Sequence, residues 1–360
     1  MQDKTKKIIV FSFSGIGNSL LAVPFLSRLN KSIPLTMDFL VLNKAMAEVF
    51  DGLSFVESVS IIPKNIFKAG LFLLKLRFEG YSYSITLFPS NKWQFNVIAF
   101  IIGAKKRISH SYNTPQIKSL SFLQNVRMEA VNGLCDIEQN MALLSGFGIE
   151  SGKEKIEFDF FIPDESNYAA QKFINDNNLK GNFIVGIHPG AGGSWDERWQ
   201  GLSKRWPAEF FSQLCDKIIE AKNAKVIIFG GSNENTLKNE VKSLSKHEID
   251  IFIANAGSLK YTAALIKMCN LFISNDTSLM HISSAFCVPT LGIFGPTNHT
   301  RTSPYGKRSF FVRKGASCSP CLKYPFESVS SKIICHKSAE CLRGLSVESV
   351  FEAIKSGGLI

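Results

Sequence analysis

Short continuous apolar segments alternate with segments of helical periodicity along most of the chain, and this alternation restricts the fold more than any other feature. Strands that are apolar at every position, rather than at every second one, are typical of parallel sheets covered by helices on both faces. The strands predicted in the first part of the chain are 8–13, 35–42, 56–62 and 83–88. The pattern therefore predicts an α/β fold.

A polar segment at residues 160–180 separates this series of strands from a second one. The strands predicted after it are 183–188, 225–229, 251–254, 271–274 and 290–294. A chain of 360 residues is long enough for two domains of ordinary size. We expect an N-terminal domain at 1–170, a C-terminal domain at 171–345 and a last helix at 346–360 that packs back on the first domain.

The chain has a net charge of +11, and most of the excess lies in its first third. Residues 1–130 contain 16 Lys and Arg against 7 Asp and Glu. Such a basic surface suits nucleic acid, an anionic membrane or a phosphorylated substrate. The overall composition, 45% hydrophobic and 20% charged, excludes a disordered chain, a collagen-like chain and a small disulfide scaffold.

The sequence favours a cytoplasmic protein. Lys4, Lys6 and Lys7 precede an apolar run, but Ser14 and Gly15 interrupt it, and no clean cleavage site follows. One of the longest apolar stretches, residues 97–104, is far shorter than the roughly 18 residues that a membrane span needs. Eight cysteines without an export signal indicate a reducing compartment.

The segment at residues 271–286 carries the most chemical information. It is typical of a buried strand, a short polar turn and a helix that begins near Thr277. The free N–H groups and the positive dipole end of such a helix bind phosphate, and Thr277 and Ser278 add hydroxyl groups. Asp276 suits sugar hydroxyls better than anions. The simpler interpretation is that Asp276 or Thr277 only caps the helix.

Further motifs accompany this segment along the chain. They are Ser14-Gly-Ile-Gly-Asn-Ser19, His188-Pro-Gly-Ala-Gly-Gly193, Lys204-Arg-Trp-Pro207, Phe229-Gly-Gly-Ser-Asn-Glu234, Ala256-Gly-Ser-Leu259 and Phe294-Gly-Pro-Thr297. In this order they resemble the ADP-heptose:lipopolysaccharide heptosyltransferase family, glycosyltransferase family 9. The resemblance covers nearly the whole chain, and residues 275–281 with Phe-Gly-Pro-Thr are its most specific part.

The resemblance implies a GT-B fold, in which two Rossmann-like domains turn their parallel sheets towards a central cleft. The first domain would bind the acceptor and the second the nucleotide sugar. The donor-binding residues that it implies are His188, Pro189, Gly190, Lys204, Gly230, Glu234, Ala256, Gly257, Asp276, Thr277, Ser278, Leu279 and His281.

Four of these positions have more specific interpretations. Lys204 matches a basic residue that neutralises the departing nucleotide diphosphate, and with Asp276 it is expected to be catalytic. Glu234 matches a carboxylate placed for the ribose hydroxyls. His281 lies one helical turn after Thr277, so it either faces the donor or packs in the core.

The resemblance also implies inversion at the anomeric carbon without a metal, with an Asp as the base in the first Gly-Asp turn. This chain has Gly17-Asn18 there, and an amide cannot act as a general base near neutral pH. Either another group supplies the base, or Asn18 only positions an acceptor oxygen, or the protein has little transfer activity. Candidate bases in the same half are Asp136, Glu138 and His110.

Two other groups of residues suggest ligands. Cys318, Cys321, Cys335 and Cys341 either hold a structural zinc ion or are reduced loop cysteines. Residues 64–78 combine an apolar stripe with basic residues, so this helix either lies on an anionic membrane or only covers the sheet. The stripe consists of Phe67, Leu71, Leu74 and Phe78, and the basic residues are Lys64, Lys68, Lys75 and Arg77.

These residues and the resemblance predict a glycosyltransferase that moves a heptose from ADP-heptose to the lipopolysaccharide inner core or a related surface glycan. Expected partners are the ADP-sugar, a phosphorylated glycolipid acceptor and the cytoplasmic face of the inner membrane, without nucleic acid. The alternatives are a GT-B enzyme with another nucleotide sugar and a catalytically impaired nucleotide-sugar-binding homologue. A nucleic-acid-binding protein is suggested by charge alone, without a recognisable motif.

Overall fold

The computed structural model describes residues 7–33, 35–150, 152, 156–191, 204–327, 335 and 338–360. These residues form two compact units. The first unit consists of the described residues up to Phe161 together with residues 324–327. The second unit begins at Ile162 and contains the rest.

The first unit is a six-stranded parallel sheet with helices between its strands. The strands are β1 (Ile8–Ser12), β2 (Met37–Val41), β3 (Val56–Ile61), β4 (Tyr83–Thr86), β5 (Lys106–Ser111) and β6 (Val126–Glu129). The helices are α1 (Ile16–Leu21), α2 (Val23–Ser32), α3 (Lys44–Phe50), α4 (Ile66–Arg77), α5 (Trp93–Ile102), α6 (Gln116–Ser119) and α7 (Asp136–Ala142). The order of strands is β3-β2-β1-β4-β5-β6, so the direction of winding reverses between β1 and β4.

The second unit repeats this arrangement. Its strands are β7 (Ile184–His188), β8 (Lys225–Ile228), β9 (Ile251–Ile253), β10 (Leu271–Asn275), β11 (Thr290–Phe294) and β12 (Ser309–Arg313). Its helices are α8 (Asp164–Asp176), α9 (Ala208–Lys222), α10 (Asn235–Ser243), α11 (Leu259–Ile266), α12 (Ser278–Ala285), α13 (His299–Thr302), α14 (Glu340–Arg343) and α15 (Val347–Ser356). The parallel order β12-β11-β10-β7-β8-β9 reverses its winding between β10 and β7.

The predicted α/β fold with two parallel sheets is confirmed, and each strand predicted from a continuous apolar run is present. Three strands were not predicted, namely β5, β6 and β12. β6 is an edge strand in which Arg127 and Glu129 interrupt the apolar residues. β12 is also an edge strand, and its apolar run consists only of Phe310, Phe311 and Val312. β5 begins with Lys106 and Arg107, which conceal its buried centre.

The division of the chain differs from the predicted one at two places. The predicted boundary at residue 170 falls inside α8, which buries Phe173 and Ile174 and packs on α11 of the second unit. The last helix was expected to pack on the first domain. Instead, α15 packs on α9 and buries Val350 and Ile354 in the core of the second unit, because its apolar face matches that core.

A buried tryptophan in the second unit fixes the segment that leads to the candidate site. Trp206 is fully buried, and its indole N–H donates to the carbonyl of Leu345 at 2.9 Å. Its backbone N–H donates to the side chain of Asn275 at 3.1 Å. Lys204 and Arg205 are therefore attached directly to a rigid part of the core.

Candidate active site

The candidate site lies at the carboxyl ends of β7 and β10, where the second sheet reverses its winding. This is the place at which open α/β sheets usually bind ligands. The side chain of Asn275, the last residue of β10, donates to the carbonyls of Pro189 and Gly190 at 2.8 and 3.0 Å. The loops that follow the two strands are thereby held together. Gly192 and Gly193, which belong to the same predicted motif, lie outside the described residues.

Helix α12 begins at this edge with its backbone N–H groups uncapped by Thr277. Thr277 occupies the cap position, but its side chain makes no capping hydrogen bond. Its hydroxyl is instead 2.9 Å from the hydroxyl of Ser274 and 2.9 Å from Nδ1 of His188. The simple capping interpretation is therefore wrong for the Thr277 side chain, and the N–H groups remain suited to phosphate oxygens.

A buried carboxylate fixes the orientation of His188. Glu234 Oε2 is 3.2 Å from His188 Nε2 and accepts from the backbone N–H of Gly231 at 3.0 Å. Because a carboxylate only accepts, Nε2 carries a proton and donates to Glu234, which leaves Nδ1 directed at the Thr277 hydroxyl. Gly190 is necessary here, since a Cβ on it would lie 1.9 Å from Glu234 Oε1.

An ion pair lies on the other side of the α12 start. Lys204 Nζ is 3.3 Å from Asp276 Oδ2, and both side chains are largely buried. Burial alone would raise the pKa of Asp276, but the ammonium group of Lys204 lowers it, and the net pKa is below the usual value. Asp276 is therefore ionised at neutral pH and holds the lysine beside the helix start.

The structure adds residues that sequence reasoning had not assigned. Asn275 holds the two loops together, and Ser274 contacts the hydroxyl of Thr277. Both residues belong to the segment 271–286. Lys238 is 1% exposed, and its ammonium group donates to the carbonyl of Gly230 at 3.2 Å. Burial lowers the pKa of Lys238, against the opposing effect of Glu234. In the sequence, only the position of Lys238 four residues after Glu234 could have indicated that it lies near the site.

The remaining predicted donor residues differ in their burial. Leu279 is buried at the start of α12, and Ser278 is half-buried beside it. Ala256 and Gly257 are exposed in the loop between β9 and α11. His281 is 4% exposed, and its Nδ1 has no hydrogen-bond partner among the described residues. Burial lowers the pKa of His281 to about 4, so the ring is neutral at neutral pH.

The first unit places Asn18 on α1, close behind the end of β1. Its side-chain amide donates to the carbonyl of Ser14 at 2.7 Å. The Ser14 hydroxyl donates to the carbonyl of Pro89, in the loop after β4. This bond spans the switch point of the first sheet, by which we mean the place where the sheet reverses its winding. Asn18 itself is half-buried.

None of the three candidate bases is hydrogen-bonded to Asn18 in the described part of the chain. Asp136 is fully buried at the start of α7. Glu138 is exposed, but its carboxylate accepts from the N–H of Cys135 at 3.1 Å. His110 is 3% exposed, its Nε2 lies 2.9 Å from the carbonyl of Gln139, and burial lowers its pKa to about 4.

The four C-terminal cysteines do not form a metal site in the described residues, where no group of three or more His, Cys, Asp or Glu side chains is arranged to hold an ion. Burial, reinforced by the neighbouring thiols, raises the pKa of Cys321 and raises that of Cys341 to about 11. Both thiols are therefore protonated at neutral pH. Among the helices that the structure describes, none is long and apolar enough to cross a bilayer.

The fold is that of solved glycosyltransferases of the GT-B type. A glycosyltransferase family 9 protein from Veillonella parvula superposes with a TM-score of 0.77 at 20% identity, over 99% of this chain and 98% of that one. Escherichia coli heptosyltransferase WaaC, solved with ADP-2-deoxy-2-fluoro heptose, gives a TM-score of 0.69 at 15% identity, over 97% and 99% of the chains. At these identities the likeness establishes the fold.

Within this class the family is defined by sequence. The model of glycosyltransferase family 9 (heptosyltransferase) matches residues 72–329, and the chain belongs to this family. Lipooligosaccharide heptosyltransferase 2 from Campylobacter jejuni is 33% identical over 189 residues, which are 51% of this chain and 54% of that protein. The matched segment thus spans about half the length of this relative.

Proposed function

We propose that the protein transfers a heptose from ADP-heptose to the inner core of lipopolysaccharide or a related surface glycan, with inversion and without a metal. Membership of the heptosyltransferase family and the names of its relatives support the sugar and the acceptor. The observation that carries the proposal is the Lys204–Asp276 ion pair beside the uncapped start of α12.

The donor diphosphate would bind at the start of α12. The N–H groups of the first turn and the helix dipole favour its negative charge, and the hydroxyl of Ser278 is available beside them. As the glycosidic bond to the donor breaks, negative charge grows on the leaving diphosphate. The ammonium group of Lys204 would stabilise that charge in a largely dry site. Asp276 would hold Lys204 and accept hydrogen bonds from sugar hydroxyls.

Glu234 would act through His188. Its Oε2 already accepts one hydrogen bond from His188 and another from the backbone N–H of Gly231. Because His188 Nδ1 lies 2.9 Å from the Thr277 hydroxyl, the pair would hold that hydroxyl in place. The ribose role implied by the resemblance remains a proposal for Glu234, whose second oxygen faces Gly190 and Arg205.

The acceptor would bind to the first unit, near Asn18. The attacking hydroxyl must lose a proton, and the amide of Asn18 cannot take it. The carbonyl of the Asn18 side chain would accept a hydrogen bond from the acceptor, while its NH₂ group is held by Ser14. The proton would go to a group other than Asn18. The excess of basic residues in this part of the chain suits a phosphorylated glycolipid at an anionic membrane.

Binding of the donor is the first test. We expect ADP-heptose to raise the melting temperature of the protein more than UDP- or GDP-sugars do. Purified lipopolysaccharide acceptor should then gain a labelled heptose, measured by mass spectrometry. Stabilisation by a non-adenine nucleotide sugar alone would exclude ADP-heptose as the donor.

A second candidate function is a nucleotide-sugar-binding protein with little transfer activity. Asn18 favours it, because an amide stands where the resemblance implies a base. The two functions differ in turnover. ADP-heptose binding without transfer, both in the wild type and in the Asn18→Asp variant, would indicate the binding protein.

A further inference from the structure

Helix α4 in the first unit exposes a row of large apolar side chains. We call this row the α4 outer face. It consists of Ile66, Phe67, Leu71, Leu74 and Phe78, which are 79%, 81%, 71%, 48% and 88% exposed. The last four recur at spacings of four, three and four residues, so they lie along one side of the helix. Large apolar side chains in a contiguous exposed row usually mark an interaction surface.

The opposite side of the same helix already packs on the protein core. Leu73 is 5% exposed, and Phe72 and Leu76 pack against the cluster that contains Ile9 and Phe95. Helix α4 is therefore apolar on two sides, although a helix that only covers a sheet needs one apolar side. Covering the sheet explains the inner side, and the outer face has no partner among the residues that the structure describes.

Basic residues border the α4 outer face. Lys64, Lys68 and Lys75 are exposed, and within the described residues none of them forms an ion pair with a carboxylate. The helix itself contains no Asp or Glu. The side chain of Asn65 accepts from the N–H groups of Phe67 and Lys68, so the helix begins at a well-defined cap. Exposed Phe and Leu beside unpaired lysines are the composition of helices that lie in the interface of anionic bilayers.

We propose that the α4 outer face docks the first unit on an anionic lipid bilayer. Phe67, Leu71 and Phe78 enter the boundary between headgroups and acyl chains, and the three lysines contact lipid phosphates. Helix α5, which packs on α4, adds two exposed aromatic side chains, Trp93 and Phe100. The proposal rests on the proposed function only in that it brings the acceptor-binding unit to the surface where a glycolipid is embedded.

The test measures vesicle binding without catalysis. The full chain is sedimented with vesicles of phosphatidylglycerol and phosphatidylcholine, and with vesicles of phosphatidylcholine alone. We expect binding to the anionic vesicles, and we expect Phe67→Ser with Phe78→Ser to weaken it by about tenfold or more. Lys64→Glu with Lys75→Glu should remove the preference for anionic lipid. The matched control is Ile249→Ser in the second unit, where the side chain is 86% exposed, and this change should leave binding intact.

Two results would overturn the proposal. One is that the double serine variant, Phe67→Ser with Phe78→Ser, binds anionic vesicles as strongly as the wild type does. The other is a change of oligomeric state, measured by size-exclusion chromatography with light scattering: the wild type is a dimer, and the double serine variant is a monomer that still binds vesicles. The outer face would then contact a second copy of the chain. Unchanged circular dichroism and melting temperature verify that the variants are folded.

Transfer assays separate this proposal from the proposed function. The double serine variant should keep wild-type transfer to a delipidated acceptor in solution and lose transfer to the same acceptor embedded in vesicles. If the wild type binds vesicles but transfers no sugar, the proposed docking surface stands and the proposed transferase activity is refuted. If the double serine variant transfers sugar equally well to the soluble and to the vesicle-embedded acceptor, the docking surface is refuted and the transferase activity stands.

Discussion

The two sheets share one strand order, but their switch points carry different chemistry. In the second unit the carboxyl ends of β7, β8 and β10 carry buried ionisable groups, which are His188, Glu234 and Asp276. In the first unit the loops after β1 and β4 are joined by neutral groups, the hydroxyl of Ser14 and the carbonyl of Pro89. Asn18 beside them is also neutral.

This difference matches the two substrates that we propose. A nucleotide diphosphate is charged and gains negative charge at one end when it departs, so fixed charges and a helix start bind it well. A sugar hydroxyl is neutral until it attacks, and neutral hydrogen-bonding groups are enough to position it. Identical topology therefore does not impose identical chemistry, which depends on a few side chains at the strand ends.

The largest expected effect comes from removing the charge of the second switch point. Lys204→Met keeps an apolar stem but loses the ammonium group, so the leaving diphosphate is no longer neutralised. We expect kcat to fall by about 10²–10³-fold, measured as initial rates of transfer at saturating donor. Lys172→Met is the control, because Lys172 is exposed and pairs with Asp176 on α8. A loss smaller than about fivefold would remove Lys204 from the catalytic residues.

Acid should destabilise both units through one buried histidine in each. Burial lowers the pKa of His110 and of His281 from 6.5 to about 4. Between these values the unfolded chain binds more protons than the folded one, so stability is complete above pH 6.5 and falls as the pH decreases towards 4. The loss amounts to about 3 kcal/mol for each histidine, measured by urea unfolding at pH 7.0 and 4.5.

Single variants assign this acid sensitivity to a unit. His110→Gln should reduce the pH dependence of the unfolding transition of the first unit, and His281→Gln that of the second. If both variants keep the pH dependence of the wild type, other groups cause it.

Gly190→Ala should disturb the second switch point more than a comparable change elsewhere. Its Cβ would lie 1.9 Å from Glu234 Oε1, so the buried carboxylate and His188 must move. We expect a destabilisation of about 1–3 kcal/mol in urea unfolding, together with weaker binding of ADP-heptose.

Gly70→Ala in helix α4 is the matched change in the first unit. Nothing lies within 4 Å of the added Cβ, and alanine favours a helix interior over glycine by about 0.8–1.0 kcal/mol. Gly70→Ala should therefore stabilise the protein. Equal effects of the two substitutions would contradict the close packing around Gly190.

The smallest effect is expected from making the first switch point acidic. Asn18→Asp adds a carboxylate where the chain has an amide, and transfer should increase by less than about tenfold as that carboxylate ionises. Rates between pH 4 and 8 would reveal the added ionisation. A rate that falls in the variant would indicate that the NH₂ group, donated to Ser14, is what the site needs.

The sequence predicted the central strands well because parallel strands covered on both faces are apolar throughout. It did not predict β6, in which Arg127 and Glu129 interrupt the apolar pattern, or β12, whose apolar run is only three residues long. In the candidate site, Asp276 and Thr277 could be proposed from the sequence because the strand, turn and helix start are contiguous. The bond between His188 and Glu234 joins residues 46 positions apart, and only the parallel pairing of β7 with β8 brings them together.

Residues 324–327 belong to the first unit, although they follow most of the second unit in sequence. Phe326 contacts Phe88 and Tyr112, and the carbonyl of Pro325 accepts from the side chain of Asn91. During synthesis these contacts can form only after most of the second unit has left the ribosome. A fragment cut at Phe161 would lack Phe326 and would therefore expose an aromatic surface around Phe88 that the intact chain covers.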